Sequence, residues 1–262
     1  MLVRSWHRLL ARIAAFLLAA VAVIGALAWF FALPLEARYF ARQLPVLRQT
    51  PTPIRDSSVT ESTGRRIAFC GSVFEIPWSD LNDAKTKTGG NSTIFYFDSG
   101  LVALLKCEPP REFVEGVLSS TKMRSESFRR AFGDGAVASD YGLTRLMLET
   151  TPDAITARAH DRQGPLMAVL VLKAMGTPPA ESGIFEIHTD EFEGYQYENP
   201  RARPNKILMS LFAADRGLEF QFFPKYQGAS ANVSQADINR ILRTIHKVGP
   251  YPPINQASAR PR

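Results

Sequence analysis

Cysteine is nearly absent from this chain: two residues in 262, Cys70 and Cys107. They do not form a C-x-x-C pair, which excludes thiol-exchange chemistry of that kind. Histidine is scarce too, with His7, His160, His188 and His246, no two of them three or four residues apart. No G-x-S-x-G elbow occurs, so a Ser/His/Asp hydrolase has no support. A basic surface is missing from most of the chain as well. The formal charge is +6, but residues 1–50 hold six Arg against one Glu, whereas residues 51–262 hold 25 basic and 24 acidic side chains. A nucleic-acid-binding domain needs a basic face of its own, and this balance removes it. At 45% apolar and 21% charged, the composition excludes a wholly disordered chain.

One long apolar run stands out. Residues 13–33 are 21 residues with no charge, and as a helix at ~1.5 Å per residue they reach roughly 31 Å, the hydrocarbon thickness of a bilayer. Trp29, Phe30 and Phe31 suit the interface, and Pro34 closes the run. Arg4, Arg8 and Arg12 followed by Ala26-Leu27-Ala28 also spell a cleavable signal peptide. The residues after that site, Trp29 to Leu33, stay apolar, as a membrane stop does, so an uncleaved anchor over 13–35 is the expectation. Arg38, Arg42 and Arg48 after the span balance the three before it. Orientation therefore rests on the tight grouping of the first three, which favours a cytoplasmic N-terminus at 1–12 and an exported C-terminal domain.

Beyond the span the expected plan is a juxtamembrane helix and a Pro/Thr/Ser linker over 36–64, one domain over 65–248, and a Pro-rich tail over 249–262. Strands are expected at 65–70 and 72–76, at 93–97 and 101–107 around Asp98-Ser99-Gly100, and at 184–189 and 192–197. The clearest hairpin is 206–213 with 218–223, turning at Asp215-Arg216-Gly217. There Ile207, Met209 and Leu211 alternate with Leu208, Ser210 and Phe212, a period of two that buries one face. Helices are expected at 112–119 and 125–132, after Ser139 with Leu143, Leu146 and Met147 inward, and after a capping box at Ser234-Gln235-Ala236-Asp237. Residues 166–175 suit either helix or strand. The sum is an α+β fold: a mostly antiparallel sheet of hairpins covered by helices, preceded by one N-terminal transmembrane helix. That order of hairpins with a closing helix resembles a Mog1/PsbP-type sandwich, a likeness that implies architecture alone.

Few residues carry chemistry. Glu186, His188 and Asp190 sit at i, i+2 and i+4 of an expected strand, so a continued strand puts all three on one face. Such a set suits a divalent metal or acid–base catalysis, while a solvated face opposite Phe185 and Ile187 fits the same alternation. Gly133-Asp134-Gly135-Ala136-Val137-Ala138 spells G-x-G-x-x-A but follows a helical pattern, and so reads as a helix end and turn. Asn91-Ser92-Thr93 and Asn232-Val233-Ser234 match the glycosylation sequon. His246 is placed on the last turn of the closing helix. No motif calls for a cofactor or a metal.

Two functional classes follow. The first is a non-catalytic extracytoplasmic domain, anchored in the bilayer through 13–35, that binds a ligand or an envelope protein. The second is an anchored enzyme, with or without a metal, working through Glu186, His188 and Asp190. Cys70 and Cys107, an even pair in the domain expected outside the cytoplasm, are expected to form a disulfide; Cys107 alternates with Leu101, Ala103 and Leu105 and so points inward.

Overall fold

The computed structural model describes residues 2–54, 64–121, 125–178, 182–198, 206–225 and 233–250. Residues 55–63 of the expected linker, the sequon residue Asn232 and the tail from 251 onward lie outside the described residues, as do the side chains of 2–17 and of His160. The strands are β1 (Thr52–Pro53), β2 (Arg65–Phe69), β3 (Ser72–Ile76), β4 (Lys87–Gly89), β5 (Ser92–Tyr96), β6 (Leu101–Glu108), β7 (Gly183–His188), β8 (Glu193–Glu198), β9 (Ile207–Ala213), β10 (Arg216–Pro224) and β11 (His246–Lys247). The helices are α1 (Leu2–Gln43), α2 (Glu112–Thr121), α3 (Ser125–Phe132), α4 (Gly135–Ala138), α5 (Asp140–Glu149), α6 (Gln163–Gly176) and α7 (Gln235–Thr244). Mixed α+β architecture with a large, mostly antiparallel sheet is what the alternating hairpins dictate.

By contacts the chain divides into two compact units, Met1–Arg48 with Thr150–Gly176 and Gln49–Glu149 with Thr177–Arg262. The expected continuous domain over 65–248 is thus interrupted by a segment that packs with the N-terminal helix. In this first unit α1 is 42 residues long and passes through Pro34. Its described part, Leu18–Gln43, is long and apolar enough to cross a membrane. Pro34 has no N–H, which leaves the Phe30 carbonyl without its helical donor. Gln163 Nε2 supplies one at 3.2 Å and also reaches the Thr156 carbonyl at 2.9 Å. The ambiguous segment 166–175 is helical in α6, with Leu166, Val169, Leu170 and Lys173 buried at helical spacing. Part of the expected linker is structured too: residues Pro45–Arg48 form a 3-10 turn that buries Val46 and Leu47.

The second unit contains an eight-stranded sheet in the order β1-β7-β8-β9-β10-β6-β5-β4, antiparallel except for the β1–β7 pair, and a small β11-β3-β2 sheet. The β9–β10 turn is Ala214-Asp215, with Ala213 opposite Arg216, one residue earlier than the sequence suggests. Arg216 is drawn into the ladder because its guanidinium has acceptors inside. Nη1 donates to the Cys70 carbonyl at 2.5 Å, Nη2 to the Gly249 carbonyl at 2.6 Å, and Nε to Asp215 at 3.2 Å. On one sheet face Leu101, Ala103 and Leu105 of β6, Ile207, Met209 and Leu211 of β9, and Leu218, Phe220 and Phe222 of β10 are buried together. Phe74 and Ile76 of β3 and Ile238, Ile241, Leu242 and Ile245 close over them. On the opposite face Tyr141 of α5 stacks on Tyr195 of β8, ring centroids 5.8 Å apart, and lies against Phe212 of β9.

Local chemistry sets the turns and caps. Cys70 and Gly71 both have positive φ between the paired residues Phe69 and Ser72, the type I′ arrangement whose twist suits a hairpin. That turn brings Cys70 to Cys107, with Cα atoms 5.9 Å apart and the sulfurs bonded. Ser234 caps α7 in a full capping box with Asp237. Helix α7 ends at Thr244, so His246 does not sit on its last turn; it lies in β11 opposite Val73, where backbone pairing continues the small sheet.

Candidate functional site

The β7–β8 hairpin is the meeting point of the residues singled out in the sequence. Pairing sets His188 opposite Glu193 and Glu186 opposite Tyr195. The period of two turns Ile187 into the core at 1% exposure and puts Glu186 and His188 on the face that carries Tyr141. Glu186 Oε1 accepts from the Tyr141 hydroxyl at 3.1 Å and lies 3.3 Å from His188 Nε2. His188 Nδ1 is 3.9 Å from Glu193 Oε1. Glu186 is not the freely solvated face residue its alternation allows; its side chain is one-quarter exposed beneath Tyr141, against 58% for His188. Burial, followed by the bond to Glu186, pushes the Tyr141 phenol up to about 12, and burial raises Tyr195 further. Both tyrosines stay neutral at physiological pH, and Tyr141 serves Glu186 as a donor.

Asp190 does not join this face. The strand ends at His188, because the Thr189 N–H donates to the Phe192 carbonyl and the Phe192 N–H to Thr189 Oγ1, each at 2.9 Å, closing a tight turn. Asp190 and Glu191 form its tip; Asp190 is exposed, and Glu191 accepts from the Lys247 N–H at 2.5 Å. Among the described residues no group of three His, Cys, Asp or Glu is placed to hold a metal ion.

Two clefts flank this turn. The larger, about 720 Å³, lies between it and the start of α5, lined by Arg111, Asp140, Tyr141, Asp190, Glu193 and Arg216 among others. The smaller, about 490 Å³, lies between the turn and the end of α7, and takes in His188 and His246. Several charged groups of the larger cleft are committed to the backbone. Arg111 Nη1 donates to the Val137 and Ala138 carbonyls, both at 2.9 Å, and Asp140 accepts from the Val114 N–H at 2.9 Å. Asp140 thus caps α2 from a distance, and burial pushes its carboxyl up from the ordinary value. Arg216 is 1% exposed and engaged as described above. Asp190 and Glu193 remain exposed, so the cleft offers carboxylate at its rim.

The other sequence features have structural roles. Gly133 has positive φ at the end of α3, and the four-residue α4 follows it, so G-x-G-x-x-A is a helix end and turn without the strand a dinucleotide site needs. Asn91 Nδ2 donates to the Cys107 carbonyl at 2.8 Å. Tyr141 had no local signal in the sequence, lying 45 residues from Glu186; only the stacking of α5 on β8 brings it there.

Fold and site together define a class, an α+β domain attached to an apolar N-terminal helix and carrying an acid-rimmed cleft. No protein-family model matches the chain, and no curated protein matches it.

Proposed function

We propose that this protein is a single-pass membrane protein whose α+β domain stands on the extracytoplasmic side and binds an envelope partner without catalysis. The observation that carries the binding reading is the commitment of cleft groups to structural hydrogen bonds. Arg111, Asp140 and Arg216 each hold backbone atoms, while Asp190 and Glu193 are left at the rim. Such a rim suits a basic segment of a partner. The apolar length of α1 supports the anchor, and the Cys70–Cys107 bond supports an oxidising compartment. The closing helix α7 over the sheet supports the Mog1/PsbP-type likeness.

The test is a photo-crosslinking amino acid at Asp190 in native membranes, with the same group at Lys87 as the comparison. A discrete adduct from position 190, lost when Glu193→Gln is added, supports the reading. Equal adducts at both positions, or none, reject it. Carbonate at high pH checks the anchor separately, since an integral protein stays in the pellet.

A second reading rests on the 3.3 Å contact of His188 with Glu186 under the Tyr141 hydroxyl, an arrangement fit for proton transfer. In the favoured reading His188→Ala shifts stability by less than about 0.5 kcal/mol and leaves partner binding intact. A metal equivalent or a hydrolytic activity that disappears in this variant would establish the enzyme instead.

A further inference from the structure

His188 stands between two carboxylates. Its Nε2 is 3.3 Å from Glu186 Oε1 and its Nδ1 3.9 Å from Glu193 Oε1, so the imidazole holds the two acids apart. A metal ion draws its ligands to within about 2.2 Å of one point, which this spacing does not allow. Acceptors are nevertheless left unused here. Tyr141 and His188 both engage Oε1 of Glu186, and no described group engages its Oε2. The Glu193 carboxylate accepts no hydrogen bond among the described residues.

A second observation lies beneath Tyr141. Tyr195 pairs directly with Glu186 and alternates with Glu193 along β8, so all three side chains share one face of the sheet. Its ring stacks on Tyr141, and its buried hydroxyl has no hydrogen-bond partner among the described residues. A buried phenol left unpaired is costly, and it points to a group that arrives from outside the chain. The oxygen of such a phenol accepts from N–H donors. Tyr141 and Phe212 add aromatic faces, their ring centroids 6.2 Å apart, with Phe212 directly opposite Glu193. Tyr141, Phe212 and Glu193 also line the larger cleft, which gives this face an entrance. Free carboxylate oxygens, an unpaired hydroxyl and ring faces together suit an organic cation that carries N–H donors.

We infer that Glu186, Glu193, Tyr141 and Tyr195 form a seat for one basic side chain, a lysine ammonium or an arginine guanidinium, carried by the partner of the acid-rimmed cleft. This rests on the partner-binding reading of that cleft. The full chain in detergent micelles, with isotopically labelled tyrosine, is titrated with N-acetyl-arginine amide and N-acetyl-lysine amide. N-acetyl-citrulline amide serves as the uncharged isostere, and tetramethylammonium as the cation without donors. The ring signals of Tyr141 and Tyr195 are expected to shift saturably with the two basic amides and with neither control. Glu186→Gln and Tyr195→Phe are each expected to weaken binding about ten-fold. Because the Tyr195 hydroxyl has no partner in the described chain, Tyr195→Phe is also expected to leave the urea midpoint unchanged. Absence of saturable shifts overturns the inference, as do equal shifts with either control or unchanged binding in either variant. The crosslinking group at Asp190 separates this from the partner reading. An adduct that survives both Glu186→Gln and Tyr195→Phe keeps the partner and overturns the seat. Saturable shifts without any adduct keep the seat and reject the envelope partner.

Discussion

Arg216 is the residue on which the described turns depend. A guanidinium at 1% exposure is tolerable because its donors are used: two backbone carbonyls and the half-exposed Asp215 receive them. Its hydrogen bonds, and after them its charge, in turn hold the Asp215 carboxyl below the ordinary value. Arg216→Met removes the donors for Cys70 and Gly249 at once and is expected to cost about 2–4 kcal/mol in urea unfolding. Arg216→Lys recovers only part of this, since an ammonium lacks the fork that spans both carbonyls. Asp140 makes a pH prediction. Burial raises its folded pKa above the unfolded value, so its favourable contribution is full below the unfolded pKa and fades as pH rises through the folded one. Asp140→Asn keeps an acceptor for the Val114 N–H but cannot titrate. The native protein is therefore expected to lose stability from about pH 4 upward, and this loss to shrink in the variant, read from urea midpoints across that range.

At the scale of elements, α7 is the best-specified helix. Ser234→Ala removes one half of its capping box and is expected to lower stability by about 1 kcal/mol, with Ser234→Asn close to neutral. This helix and the β9–β10 hairpin were legible because their periods, 3.6 and 2, run long enough to be counted. The strands β1, β4 and β11 were not, since two or three residues carry no period and only their partners make them strands. Helix α6 was ambiguous for a related reason: with apolar side chains nearly all round, it has no stripe to show its period. At the site, Glu186 and His188 were readable as neighbours by their i, i+2 spacing. The end of the strand before Asp190 was not readable, because nothing in that spacing reveals the Thr189–Phe192 turn that stops it. Tyr141 was out of reach of any local pattern.

At the scale of the whole molecule, the Cys70–Cys107 bond ties the small sheet to strand β6 across a sequence separation of 37. Closing a loop of that length constrains the unfolded chain by roughly 4 kcal/mol in the entropy model. Reduction is expected to lower the unfolding midpoint in proportion, and alkylation of native membranes is expected to label neither thiol until reductant is added. Labelling before reduction would place the protein in a reducing compartment and remove the main support for export.

Both margins of the large sheet are blunted. At one end the two-residue β1 lies along β7, where the Ile54 N–H donates to the Glu186 carbonyl at 3.1 Å and Thr52 Oγ1 approaches the Ile184 carbonyl at 3.4 Å. At the other, β4 is three exposed residues beginning with Lys87 and ending at Gly89. A long bare margin is a template for a foreign strand, and molecules confined to a bilayer meet edge-on far more often than molecules in bulk water. Under the proposed membrane anchor, spending Thr52 and Pro53 on the chain's own border has a use: crowding can raise the frequency of such encounters without turning them into cross-strand aggregates.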